Sequence, residues 1–283
     1  MSPMNNRLLV PRKVPGLLDL VPGAAAAYSL RSLSNSYAGP VVTVRRSSDD
    51  AEEDFTAAEV ADGTLAAFCG AGDGFVKTWH SQTGSNDATQ TTAGYQPKIV
   101  SSGVVIMEEG KPAIQFDGSD DRLSADGVAA IVSGTDRPDS RFAVFKSSGT
   151  TPSEFFCFAN SGNDIPLRGF LHNGTSSGVL VFFRDNAAVA KSHAVGTQTF
   201  SQKVAAFCCN GSSATVSLDG VVSATLDVDV GATTLNTATI GAVRRTTVGS
   251  FFNGTIQEII VYPSDLTEQR ELVEGIIAWG YSV

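Results

Sequence analysis

The sequence predicts an all-β fold, a sandwich or jelly roll with an extended N-terminal arm and short peripheral helices. Three observations carry this. Charged residues make up only 17% of the chain while Gly, Thr, Ser, Val and Asn abound, the composition of a turn-rich β protein. Asx-Gly pairs punctuate the second half at Asp117-Gly118, Asn173-Gly174, Asn210-Gly211, Asp219-Gly220 and Asn253-Gly254, and each permits the positive φ that tight turns need. Apolar and β-branched runs flank most of them, and many short strands at that spacing build a sandwich. A chain of 283 residues, 42% hydrophobic, is long enough for one large domain, set here at 23–283.

The elements follow in order. Residues 1–22 contain Pro3, Pro11, Pro15 and Pro22 and no sustained period, so an extended arm suited to docking on a partner is expected there. "GAAAAYSLRSL", Gly23 to Leu33, has the Ala-rich propensity of a short helix. "VVTVRR" alternates as a strand does, and "SSDDAEEDF" then reads as a solvated acidic loop. "GAGDGF", Gly70 to Phe75, lacks the Lys-Ser/Thr ending of a phosphate loop and reads as a turn. In "VAAFCCNG" adjacent strand residues face opposite ways, so Cys208 points to the core and Cys209 outward, or the reverse, with nothing nearby to activate a thiolate.

In "ATVSLDGVVSATL" a strict two-residue Asp-Gly loop would put Val222 on the wrong face. A three-residue loop or a bulge beside Gly220 is therefore expected. The chain closes with a strand ending at Pro263 and a helix capped by Ser264, Asp265 or Thr267, with Leu272, Val273, Ile276 and Trp279 on one face and Gly280 as its stop.

Charge and cysteine content exclude several classes. A formal net charge of −9 and the absence of clustered Lys and Arg argue against nucleic acid as the principal partner. No stretch has the roughly 18 apolar residues of a membrane span. Four cysteines, 69, 157, 208 and 209, are too sparse for a disulfide scaffold and show no CxxC spacing, which fits synthesis in a reducing compartment. His80, His172 and His193 lack short metal-ligand spacing. No cofactor is expected, apart from Ca²⁺ at "DGSDD", where Asp117, Asp120 and Asp121 offer oxygen ligands at short spacing.

The closing stretch "NGTIQEIIVYPSDLTEQRELVEGIIAWGYSV" resembles the end of concanavalin A-like, laminin-G-type jelly-roll domains. "AAYSLRSLSNSYAGPVVTVRRSSDDAEEDF", "FVKTWHSQTGSNDATQ" and "KPAIQFDGSDDRL" resemble the catalytic domain of family 54 α-L-arabinofuranosidases, and still more a set of similar domains in bacteriophage virion proteins. The resemblance spans roughly 24–283. It implies a concanavalin A-like jelly-roll β-sandwich in a virion structural protein, a tail or fibre component or a capsid decoration. Such a protein would dock on other virion proteins through its arm, form a homo-oligomer in the particle and use the sandwich to bind host-surface carbohydrate.

The same resemblance tests for hydrolysis. The arabinofuranosidases carry a Cys-Cys platform followed by a nucleophilic glutamate. The corresponding region here, "SEFFCFANSGNDIPLRGFLHNG", has only Cys157, and Ile165, Pro166, Leu167 and Arg168 stand where the glutamate is expected. Asp164 is the nearest carboxylate. The expected protein is therefore non-enzymatic, with a glycoside hydrolase of the arabinofuranosidase type as the alternative. Trp79, Tyr95, Phe170 and Asp164 are the expected carbohydrate-binding residues.

Overall fold

Strands that alternate small or apolar residues with polar ones bury one face each, and here they do so against one another in two antiparallel layers. The computed structural model describes residues 14–172, 178–197, 200–223, 226–227 and 229–281. Its principal strands are β1 (Ala26–Ser29), β2 (Val42–Arg46), β3 (Glu52–Phe55), β4 (Gly74–Trp79), β5 (Lys98–Ser101), β6 (Ile114–Asp117), β7 (Asp139–Ser147), β8 (Ser153–Asn160), β9 (Asn163–His172), β10 (Val179–Arg184), β11 (Ala190–Val195), β12 (Lys203–Cys209), β13 (Ser213–Leu218), β14 (Thr237–Ile240) and β15 (Asn253–Tyr262). The helices are α1 (Leu17–Leu20), α2 (Ala57–Ala61), α3 (Thr64–Cys69), α4 (Asp126–Val132) and α5 (Arg270–Tyr281).

One layer runs β3-β2-β4-β5-β6-β15-β7-β12-β13, with β1 beside β6 on the same edge of β15. The other runs β14-β8-β9-β10-β11. Aromatic pairs bridge them: Phe145 stacks on Phe155 with centroids 4.3 Å apart, and Phe183 meets Phe207 at 5.2 Å. This is a β-sandwich, as the composition and turn spacing predict.

A second core lies on the outer face of the first layer. Leu17, Phe142, Val144, Ala206, Cys208 and Ile260 pack there beneath Val273, Ile277 and Tyr281 of α5. Both faces of β15 are therefore covered, which is why "IQEIIVY" is buried at every position. Each large apolar side chain so buried contributes about 1.5–3 kcal/mol.

This added layer explains four departures from the sequence reading. Gly23–Leu33 is no helix: Ala26–Ser29 forms β1 against Val261–Glu258, because small Ala side chains let a fully buried strand fit under α1 and α5. Of the expected arm, residues 1–13 lie outside the described residues, and the described part is not extended throughout, since Leu17–Leu20 is helical and Leu17 and Val21 are buried. The Cys208 and Cys209 side chains do take opposite faces, yet both are buried, Cys209 between the sheets and Cys208 beneath α5. Finally, α5 buries Val273, Ile277 and Tyr281, leaving Leu272 and Trp279 exposed, and it runs through Gly280.

The Asp219-Gly220 turn corrects another expectation. Leu218 pairs with Val221, a strict two-residue loop with both turn residues at positive φ. The extra residue comes later: Ser217 faces Val222 while Ala214 faces Leu226, a slip of one between the two pairs. Val221 and Val222 are both exposed, so no burial forced the slip into the turn. Asn253-Gly254 opens β15 rather than making a turn, and Asn173-Gly174 lies outside the described residues. Among the described residues no helix is long and apolar enough to cross a membrane.

Candidate functional site

On the solvent face of the first layer, register aligns Arg45 of β2, Phe75 of β4, Lys98 of β5 and Gln115 of β6 in one row. Directly opposed residues in a sheet share a face, so these four side chains form a continuous strip. The Phe75 ring carries Arg45 at 4.9 Å and Lys98 at 5.5 Å from its centroid. Both cations are paired, Arg45 with Asp50 at 2.6 Å and Lys98 with Asp73 at 2.8 Å. Gln96 is fixed from two sides, accepting from Arg45 Nε and donating to the Gln90 carbonyl.

The strip ends at the turn after β6. Asp117 Oδ1 accepts the N–H groups of Ser119 and Asp120, and Asp121 Oδ2 accepts the N–H of Asp117 at 3.0 Å. Gly118 makes the bend at φ +80°. The result brings together the three carboxylates singled out in the sequence, with ligand oxygens of Asp117, Asp120 and Asp121 all within 4.8 Å of one another. Strip and turn line one cleft of about 690 Å³, joined by Asn253, which pairs with Asp117 across the sheet. Beneath the turn, Gly241 leaves room for the Phe116 ring, whose Cδ1 lies 2.3 Å from where a Cβ would stand.

Burial, then the charges of Asp117 and Asp120, push the Asp121 carboxyl up to about 7. None of the three makes an ion pair among the described residues. Such a turn offers oxygen acceptors for sugar hydroxyls, and half the oxygens a hard cation of the calcium type needs. Carboxyls that cleave a glycosidic bond flank it at about 5–9.5 Å, whereas these approach from a single turn on one wall.

Other expected residues are elsewhere. Trp79 and Phe170 are buried in the core, Trp79 against Tyr28, and cannot stack on a ligand. The half-buried Tyr95 borders the cleft, but the Arg122 guanidinium sits 3.9 Å from its ring centroid. Asp164 is exposed on the other layer, where its carboxylate accepts from Thr246 N and Oγ1 and its carbonyl from Arg184 and Arg245. Those Thr246 bonds hold its pKa below the usual carboxylate range. His80 binds Thr43 and Asp87, and the His172 side chain lies outside the described residues.

No family model and no curated protein matches the sequence. Solved structures do. A family 54 α-L-arabinofuranosidase soaked with a cyclic sulfate inhibitor matches with a TM-score of 0.65 and 17% identity over 90% of this chain and 62% of that one. The two chains share a fold. An arabinofuranosidase complexed with arabinofuranosyl-α-1,2-xylobiose gives the same TM-score of 0.65, again at 17% identity, 90% of this chain and 62% of that one. The chain thus spans under two thirds of the enzymes it matches. The CBM40 of a Ruminococcus gnavus sialidase, bound to α2,3-sialyllactose, covers 59% of this chain and 96% of its own at 16% identity and a TM-score of 0.49.

Within this shared fold, the positions expected to hold the nucleophile are structural. Pro166 and Leu167 are buried, Leu167 beside Cys157 and Val243. Arg168 is fully buried and bound to Asp139 at 2.9 Å. A second buried carboxyl, Glu154 beside Gly169, is pushed up to about 8 by desolvation. The Arg45–Phe75–Lys98–Gln115 row escaped sequence reading because it depends on the register of four strands, which no local pattern sets.

Proposed function

We propose that this chain is a non-enzymatic structural protein of a bacteriophage virion whose sandwich binds host-surface carbohydrate in the cleft from Arg45 to Asp121. The observation that carries the binding reading is the strip itself: a fixed amide and two cations around an aromatic ring, ending in three carboxylates that make no ion pair among the described residues. Saccharides are held by planar polar groups beside apolar surface, and a rigid sheet pre-organises both. The virion assignment rests on the sequence resemblance, with the arm of residues 1–22 as the docking segment, Ca²⁺ as an optional ligand of the acidic turn and a homo-oligomer as the form in the particle.

The test has two arms. Purified protein should bind host envelope polysaccharide, lose about tenfold in affinity on Gln115→Ala or Asp120→Ala, a single pair of hydrogen bonds, and copurify with phage particles. A protein that binds no envelope glycan, or is absent from purified particles, sinks the corresponding half. The second reading, a glycoside hydrolase, is favoured by one observation: burial and the neighbouring Asp117 push the Asp121 carboxyl up to about 7, the range in which a general acid works. Turnover of a chromogenic arabinofuranoside abolished by Asp121→Asn would establish it.

A further inference from the structure

The chain has two tryptophans, and the structure treats them oppositely: Trp79 is 0% exposed while Trp279 is 77% exposed. Trp279 stands on α5 at the edge of a groove of about 460 Å³ between that helix and α2. Ala58 and Ala61 of α2 line it with small side chains, and Pro112 adds apolar surface. The charged side chains lining it are Arg31 and Lys111, both cationic, on a chain whose net charge is −9.

Arg31 is held with unusual care. Its Nε and Nη2 donate to the two oxygens of Glu258 at 2.8 and 2.9 Å, and Glu258 is wholly buried. Ser29 and Tyr281 hold the same carboxylate at 2.8 and 3.0 Å. Gly280 leaves the notch: a Cβ there would lie 2.9 Å from the guanidinium carbon. Burying a carboxylate costs several kcal/mol unless it is well satisfied, so this network fixes the guanidinium at the groove instead of leaving it in solvent. Lys111 makes no ion pair among the described residues.

We infer that this groove is a second saccharide site, selective for sugars bearing a carboxylate. The inference deepens the carbohydrate-binding reading above and places a separate contact away from the acidic cleft. The indole stacks on the apolar face of a pyranose ring, and the ring carboxylate meets Lys111 and the free edge of Arg31. A neutral sugar would make no use of Lys111, which has no ion-pair partner among the described residues. A nucleic acid needs a longer basic track than this.

The test uses the whole chain, with trigalacturonate and a hyaluronan tetrasaccharide as acidic probes and maltotriose as the neutral one. Acrylamide quenching reports Trp279, because Trp79 is inaccessible. An acidic probe should shield the indole. Trp279→Ala should weaken binding about tenfold, the scale of one aromatic contact, and Lys111→Gln should weaken it less and flatten its salt dependence. Asp121→Asn should leave it unchanged. None of the three substitutions removes a partner of Glu258, so the network that holds Arg31 is kept in each. Binding that is equal for maltotriose, or indifferent to Trp279→Ala, overturns the inference. So does a Trp279→Ala protein that keeps its sugar affinity but loses self-association, which makes the face a protein contact. Loss of acidic-sugar binding in Asp121→Asn alone assigns all recognition to the cleft, leaving the proposed function standing. No binding to any saccharide removes both.

Discussion

Cys208 and Cys209 are consecutive residues whose thiols lie in different cores, one beneath α5 and the other between the two sheets. Burial pushes each thiol up to about 12. Neither is a nucleophile at neutral pH. Native protein should therefore resist a disulfide reagent at both positions, with labelling only at the rate of global opening. Fast labelling of either would contradict the double burial. Cys209→Ala should cost about 1–3 kcal/mol, because the buried Gly211 N–H loses the sulfur it reaches at 3.2 Å.

Asp121 makes stability depend on pH in a defined direction. Its folded pKa, about 7, lies above the ordinary carboxylate value, so the native state holds the proton more tightly than the unfolded chain does. Stability from this group is complete below about pH 4 and is lost as pH rises to about 7. Asp121→Asn should remove that slope, giving a higher urea midpoint than the parent at pH 8 and little difference at pH 4. If the turn holds calcium, millimolar Ca²⁺ should restore the parent's midpoint at pH 8 only. A parent profile that rises between pH 4 and 7 and is unaltered by Asp121→Asn would refute the burial.

Asp139 joins two arginines in the interior, Arg141 at 2.6 Å and Arg168 at 2.9 Å, and all three side chains are fully buried. Asp139→Asn leaves those cations without a counter-charge and should destabilise by about 3–5 kcal/mol. The triple replacement Asp139→Leu, Arg141→Met, Arg168→Met should recover most of the loss. Equal destabilisation in both proteins would mean that packing, not charge, sets the cost.

Leu17 and Val21 belong to the core beneath α5. Deleting residues 1–22 should lower the midpoint by roughly 5 °C or more, the loss of two buried side chains. Particle association lost in that deletion but kept in a Leu17→Ala, Val21→Ala protein of similar stability is the outcome expected of a docking arm. Retained association would count against it.

What the sequence determined by itself was local and periodic. Alternation and Asx-Gly turns marked a β body, and "DGSDD" placed three carboxylates on one turn, because five residues with a glycine bend bring their own side chains together. Tertiary structure decided what lay beyond one element's reach. It turned the Ala-rich segment into β1 and covered the outward face of β12 with α5. It buried Trp79 and Phe170 yet left Trp279 in solvent. It also set Phe75 beside Arg45, Lys98 and Gln115 from four separate strands. The physical reason is the same in each case: whether a face meets water depends on which distant segment packs over it, and neither propensity nor period records that.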